Sequence, residues 1–255
     1  MIKPGICSIT FRQKSPEEII ALSLEAGLAG IEWGADVHVP PEDLENARRV
    51  GEMTREAGLE VVAYGSYWFA LDEQPEPEPF EPLIEAAQAL GAPIIRIWAG
   101  SLGLEKSPAY FETVVGRTRV FAEAAAQAGI KLALEHHPNT FTETLEGSLK
   151  LLDAVEHPNL YTYWQPPHGS SLEERLEEIA ALKQRLLNLH VSHWGPAKKL
   201  PYPRLPLAEG ASVWKPCLFA VDDPSIERFA LLEFVRDDDP RQFKADASIL
   251  SEWLS

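Results

Sequence analysis

Four times along this chain a helix-forming stretch runs out at a glycine that is followed at once by an apolar residue: Ala26-Gly27-Leu28, Ala57-Gly58-Leu59, Leu90-Gly91-Ala92 and Ala128-Gly129-Ile130. Glycine just past a helix accepts the left-handed turn that ends it, and the apolar residue behind it begins the next strand. Four copies of one stop signal predict short turns on one face of an array of β/α units. Between these marks, short β-like runs alternate with helical ones. The strand candidates are 6–9, 30–33, 60–64, 93–98, 131–135, 160–164, 187–192 and 229–234, which makes eight. Start signals agree: Ser15-Pro16-Glu17-Glu18 opens a helix over 19–26 and Ser107-Pro108 one over 110–128, each with proline at the first helical position.

Eight units in 255 residues match the length of one (β/α)8 barrel, about 250 residues. Pro93-Ile94-Ile95-Arg96-Ile97-Trp98 and Lys131-Leu132-Ala133-Leu134-Glu135 are nearly continuous apolar runs, as strands of a parallel sheet covered on both faces require. Both end in polar or aromatic residues, as the C-terminal rim of a barrel would. The expected fold is therefore α/β, a single TIM barrel forming one domain over 1–255. A doubly wound open sheet is the alternative, but no Gly-x-Gly-x-x-Gly follows the first strand.

Charge and cysteine usage narrow the partners. With 23 Lys and Arg against 39 Asp and Glu, the net charge of -16 repels a phosphate backbone, so nucleic acid is not expected. Met1 leads into the strand-like Ile2-Lys3-Pro4-Gly5-Ile6-Cys7, with neither a signal-peptide pattern nor a membrane-length apolar run. A cytoplasmic protein is expected, with no membrane partner, a small-molecule substrate, and a homo-oligomeric state left open. Cys7 and Cys217 lie outside any C-x-x-C spacing and read as small buried hydrophobes.

Six of the seven histidines (His38, His136, His137, His168, His190 and His193) fall at or just after predicted strand ends; His157 lies on the opposite face. Six of the seven tryptophans do likewise (Trp33, Trp68, Trp98, Trp164, Trp194 and Trp214). Metal-binding and ring-stacking side chains thus gather on the face where such barrels carry out their chemistry. Glu135, Gln165, His190 and Glu233 end four consecutive strands, and neighbouring strands lie about 4.8 Å apart. Two carboxylates, an imidazole and an amide oxygen suit one divalent cation such as Mn, Mg, Co or Zn. The plain alternative for each is a paired or capping polar residue at a rim.

The chain resembles the xylose-isomerase-like barrel superfamily of sugar isomerases and epimerases, which also holds a bacterial 3-dehydroshikimate dehydratase. The motifs are Ser8-Ile9-Thr10-Phe11-Arg12, Gly30-Ile31-Glu32-Trp33-Gly34, Leu134-Glu135-His136-His137-Pro138-Asn139-Thr140, His157-Pro158-Asn159-Leu160, His190-Val191-Ser192-His193 and Leu232-Glu233-Phe234-Val235. The stretch 135–160 is most like the dehydratase. The resemblance implies that Glu135, His190 and Glu233 are metal ligands and that His168 contacts substrate. It departs at Gln165, where the family has aspartate, so one charge is missing from the ligand set. It departs again at Ser192, where the dehydratase has lysine.

The shared step of such enzymes is removal of a proton beside a carbonyl, with a cation steadying the enolate oxygen. Glu135 and Glu233 are expected to serve as ligands and acid/base groups, and His168 and His137 to carry protons or to bind substrate. Arg96 either clamps an anionic or hydroxyl group or forms a buried ion pair with Glu32 or Glu135. Glu32 and His193 join the expected substrate contacts. Trp33, Trp98 and Trp164, with Trp68, either wall the substrate or pack the top of the barrel. The acidic, proline-rich segment 71–79 is a lid or a solvated loop. The loop carrying Lys198, Lys199 and Arg204 either receives an anion or is surface. The first expectation is a metal-dependent sugar isomerase or epimerase. The second is a dehydratase of a cyclic hydroxy-keto acid, and the third a metal-depleted binding barrel.

Overall fold

The computed structural model describes residues 1–71, 79–101, 103, 108–196 and 202–255. Its strands are β1 (Ile2–Cys7), β2 (Gly30–Gly34), β3 (Glu60–Phe69), β4 (Ile94–Trp98), β5 (Lys131–Glu135), β6 (Leu160–Trp164), β7 (Leu186–Val191) and β8 (Arg228–Leu232). Each pairs in parallel with the next, and β8 returns to β1 to close the barrel. The helices are α1 (Pro16–Glu25), α2 (Leu44–Glu56), α3 (Glu81–Leu90), α4 (Pro108–Gln127), α5 (Leu145–Val155), α6 (Leu172–Leu182), α7 (Ala211–Val221) and α8 (Pro240–Leu254). This is the (β/α)8 TIM barrel that the repeated β/α punctuation predicts. Among the described residues no helix is long and apolar enough to cross a membrane.

Local chemistry explains the element ends. Ser15 caps α1 with a reciprocal box to Glu18, and Ser171 does the same for α6 with Glu174. The four glycines of the repeated stop signal all take positive φ, between 69° and 81°. That left-handed turn closes the helix at little steric cost and aims the chain at the next strand.

The core has two layers. The larger lies between strands and helices and contains Trp33, Trp68 and Trp164; the smaller fills the barrel with Val62, Ile94, Ala133, Tyr163, Phe229 and Leu231. Room for the large rings comes from missing side chains opposite them. A Cβ on Gly5 would meet Leu231 Cδ2 at 2.7 Å, and one on Gly30 would meet Phe229 Cε1 at 2.9 Å.

Three strands depart from the sequence reading by two residues or more: β1, β8, and β3, which runs on to Phe69. β1 lies over Ile2–Cys7 and not 6–9, because Ser8–Phe11 turn into a short 3-10 segment pinned by Ser8 Oγ, which accepts the Gly34 N–H at 2.8 Å. β8 ends at Leu232, two residues early. Phe234 adopts φ 58° and donates its N–H to Thr10 Oγ1 at 3.2 Å, which bends the chain away just after Glu233. Residues 72–78, Ser107, Lys198 and Lys199 lie outside the described residues, so the expectations placed on them stay with the sequence.

Candidate active site

Side chains alternate along a strand, so every second residue enters the barrel. At the middle level these inward residues are mostly small or apolar, with Asn188 of β7 satisfied by the Tyr163 hydroxyl and the Phe229 N–H. At the C-terminal level they turn polar: Glu32 from β2, Arg96 from β4, Glu135 from β5, His190 from β7 and Glu233 just past β8. All five are nearly buried, each at 6% exposure or less. Charged groups this far from water need partners, and the contacts show who partners whom.

Glu135 is the hub. Its Oε2 accepts from Trp98 Nε1 at 2.6 Å and pairs with Arg96 Nη1 at 3.0 Å. Its Oε1 accepts from Gln165 Nε2 at 3.0 Å and lies 3.1 Å from His190 Nδ1. The His190 ring is surrounded by acid: Nδ1 is also 3.6 Å from Glu233 Oε2, and Nε2 is 3.4 Å from Glu32 Oε1. Arg96 Nε stands 3.6 Å from the same Glu32 oxygen, while Arg96 Nη1 also donates to the Ser66 carbonyl at 2.9 Å. Arg96 is therefore the buried ion-pair partner of both Glu32 and Glu135.

Three carboxylates face one guanidinium, so with a neutral His190 the cluster is two positive charges short. The titration of its members follows. Burial alone would raise the Glu135 carboxyl, but Arg96 and His190 outweigh it and hold it well below the usual range. Glu233 has weaker cationic support. Burial, with Glu135 and Glu32 nearby, pushes it up to about 7. Burial opposes charge on His190, yet the surrounding Cys7, Glu233, Glu32 and Glu135 raise its pKa well above the ordinary value. Protons gather where positive charge is lacking.

A divalent cation would supply the missing charge. Glu32 Oε2 and His190 Nε2, both buried, have no hydrogen-bond partner among the described residues. The donor set and its charge thus fit such an ion. Gln165 departs from the expected ligand set. Its amide nitrogen touches two acceptors, Glu135 Oε1 and the His136 carbonyl at 2.9 Å, so the network assigns NH2 to that end. In this arrangement it acts as a donor to Glu135.

The cluster floors a cavity of about 730 Å³ at the C-terminal mouth, a volume suited to a small ligand. Trp98, Gln165, His137 and His168 line it, as the sequence suggests. His137 Nδ1 lies 2.8 Å from the Pro138 carbonyl, which can only accept, so Nδ1 carries a hydrogen. His168 is at the rim, its ring stacked on Tyr202 at 4.2 Å.

Four expected substrate contacts, Trp33, Trp164, His193 and Glu32, are not brought into this cavity. Trp33 donates to Thr54 on α2 at 3.2 Å and Trp164 to Glu178 on α6 at 2.9 Å, so both indoles pack behind the barrel. Their strand parity points them outward, and Trp68 likewise packs against Phe80 and Phe121. His193 lines a second, smaller cavity, and Glu32 lies beneath the floor, out of reach except through Arg96 and His190.

The sequence reading missed Cys7, Arg12 and Tyr67. Among the described residues, Cys7, His190 and Glu233 have donor atoms that all lie within 4.8 Å of one another. Cys7 ends an inward-facing register, a signal visible once β1 is correctly placed. Arg12 pairs with Asp36 at 2.7 Å and donates to Tyr67 Oη at 2.5 Å, so the two form one wall of the mouth. Tyr67 enters because β3 extends five residues beyond the predicted 60–64.

Residues 20–253 match the family described as a xylose isomerase-like TIM barrel. A 3-dehydroshikimate dehydratase from Bacillus anthracis is 32% identical over 167 residues, which span 62% of this chain and 60% of that protein. The crystal structure of a probable 3-DHS dehydratase, AsbF, from the same organism is 25% identical with a TM-score of 0.82, covering 98% of this chain and 99% of that one. The 3-keto-D-glucoside 4-epimerase YcjR from E. coli is 16% identical, with a TM-score of 0.74 and 99% of each chain covered. Two further barrels of this fold, each 15% identical, hold a metal. One, from Mycobacterium smegmatis, is in complex with magnesium (TM-score 0.65, 100% of this chain and 98% of that one), and the IOLI protein carries zinc (TM-score 0.72, 99% and 96%).

Proposed function

We propose, from the premise that this chain belongs to the xylose isomerase-like TIM-barrel family, that it is a divalent-cation-dependent enzyme that removes a proton next to a carbonyl. The reaction we assign is dehydration of a small cyclic hydroxy-keto acid of the 3-dehydroshikimate type. The observation that carries it is the buried acidic floor, two positive charges short, at the mouth of the main cavity. The higher identity to the dehydratases than to the epimerase supports the choice of reaction.

Glu135, His190 and Glu233 would hold the cation, with Gln165 steadying Glu135 through its N–H. When bound, the ion polarises the substrate carbonyl and stabilises the enolate oxygen. His137, whose Nδ1 is held by the Pro138 carbonyl, takes the proton from carbon through Nε2. The protonated His137 then returns that proton to the departing hydroxyl, which leaves as water, and His168, a neutral ring at the rim, holds the substrate by a hydrogen bond. Arg96 keeps Glu135 ionised, and Trp98 both fixes that carboxylate and presents an apolar face to the ring.

One departure favours a second reading, isomerisation or epimerisation of a small sugar or sugar-like polyol: Ser192 stands where the dehydratase pattern has lysine. Both readings share the first step. Protein loaded in turn with Mn, Co, Zn or Mg is incubated in D2O with 3-dehydroshikimate and, separately, with a panel of ketoses. Dehydration predicts a growing aromatic absorbance with the first; isomerisation predicts deuterium entering recovered sugar. Neither signal with any ion would remove the reading.

A further inference from the structure

Beside the main mouth lies a second cavity of about 440 Å³ between α6 and the segment after β7. It shares Pro166, Pro167, His168, Ser192, Trp194 and Tyr202 with the first, so one ligand can occupy both. Its distinctive lining group is Arg175 on α6. Other arginines facing the mouth are neutralised: Arg12 by Asp36, Arg96 by Glu32 and Glu135, and Arg204 by Asp238. Arg175 forms no ion pair among the described residues, and the nearest acids on its helix are engaged elsewhere. Glu174 caps the Ser171 N–H at 2.7 Å and Glu178 accepts from Trp164.

The guanidinium is nevertheless held in place. Its Nε donates to Ser170 Oγ at 2.9 Å, and that hydroxyl donates to the Pro167 carbonyl at 2.7 Å. One edge is fixed and the terminal nitrogens remain for the cavity. Burial pushes the Arg175 pKa down, and the charges of Glu178 and Glu174, neither in an ion pair with it, only partly offset that loss of water. His168 and His193 flank it. Burial lowers both, and the Arg175 charge acts in the same direction, so each offers a neutral ring. A fixed guanidinium beside two imidazoles is a fork for an oxyanion, which takes two charge-assisted hydrogen bonds from one arginine.

We propose that this second cavity is an oxyanion subsite, where Arg175 receives the carboxylate or phosphate group of a substrate whose carbonyl end lies over Glu135 and Glu233. The assignment of that carbonyl end rests on the reading of the main cavity; the anion preference does not. Affinities are measured on the protein as purified, for two pairs of probes. The pairs are 3,4-dihydroxybenzoate with its neutral amide, and D-ribose 5-phosphate with D-ribose.

Wild type binds the anionic member of one pair about tenfold more tightly, the scale of hydrogen bonds to a charged group, and the responding pair identifies carboxylate or phosphate. Arg175→Met abolishes that preference and leaves the neutral member's Kd within about twofold, with Arg175→Gln as the second variant should the first fail to fold. No anion preference in wild type, or its survival in both variants, overturns the subsite. Glu233→Gln separates the two ideas, because it retains the preference while losing turnover. A preference that depends on Arg175 in a protein turning over nothing sinks the reaction and keeps the subsite; turnover with a KM indifferent to Arg175 does the reverse.

Discussion

Glu135 and Glu233 carry the same side chain three strands apart, yet their surroundings make them different groups. Glu135 is met by four donors and is the nearer ion partner of Arg96, whereas Glu233 has only the distant His190 edge and a carboxyl raised to about 7. Both substitutions to glutamine should abolish turnover, but their stabilities should diverge. Glu135→Gln leaves Arg96 with Glu32 alone and should cost about 3–5 kcal/mol, the usual loss on breaking a buried pair. Glu233→Gln removes a charge from a cluster already too acidic, so the cation-free protein should melt no lower than wild type. Calorimetry on the two chelated variants checks the contrast, and equal destabilisation would contradict it. Gln165→Asp replaces a donor with another carboxylate. It should bind a cation more tightly and destabilise the cation-free protein; unchanged metal affinity by calorimetric titration would take position 165 out of the centre.

Among the secondary elements, glycine plays two roles that a substitution series can separate. Gly58, at φ 81° with no neighbour near an added Cβ, is required by backbone conformation alone. Gly58→Ala should cost about 1–2 kcal/mol, the strain of a left-handed residue with a side chain. Gly51 is the reverse. It sits inside α2 with ordinary backbone, where alanine is favoured by about 1 kcal/mol, but its Cβ would lie 2.1 Å from the Leu90 carbonyl of α3. Gly51→Ala should therefore destabilise, and a urea midpoint at or above that of wild type would show that α2 and α3 can separate cheaply. The first kind of glycine was legible as a repeated stop signal before a strand. The second was not, because nothing local says which residue of another helix will press against position 51.

At the scale of the whole molecule, the barrel gathers charges from strands far apart in sequence into one dry centre, and a bound ion should stabilise all eight at once. Cation at about 100 times its Kd should add about 2.7 kcal/mol. For a chain of this size that is a rise of roughly 5–10 °C in Tm, lost on chelation and absent in Glu233→Gln. A melting curve indifferent to Mn, Co, Zn and Mg would leave the floor a purely structural ion network. The amino-acid sequence by itself determined the count of β/α units, the parallel strands and the face that carries the histidines, since these follow from periodicity and from signals read within a few residues. It also placed Glu135, His190 and Glu233 at strand ends. Only the tertiary structure decided which way their neighbours point: Trp33 and Trp164 outward against α2 and α6, Gln165 with its nitrogen toward Glu135, Cys7 inward to His190, and Arg175 held by Ser170 with no ion pair among the described residues. The reason is physical. Strand parity shifts with a small change of register, and the partner of a buried charge is fixed by closure of the barrel, which joins residues that no local pattern connects.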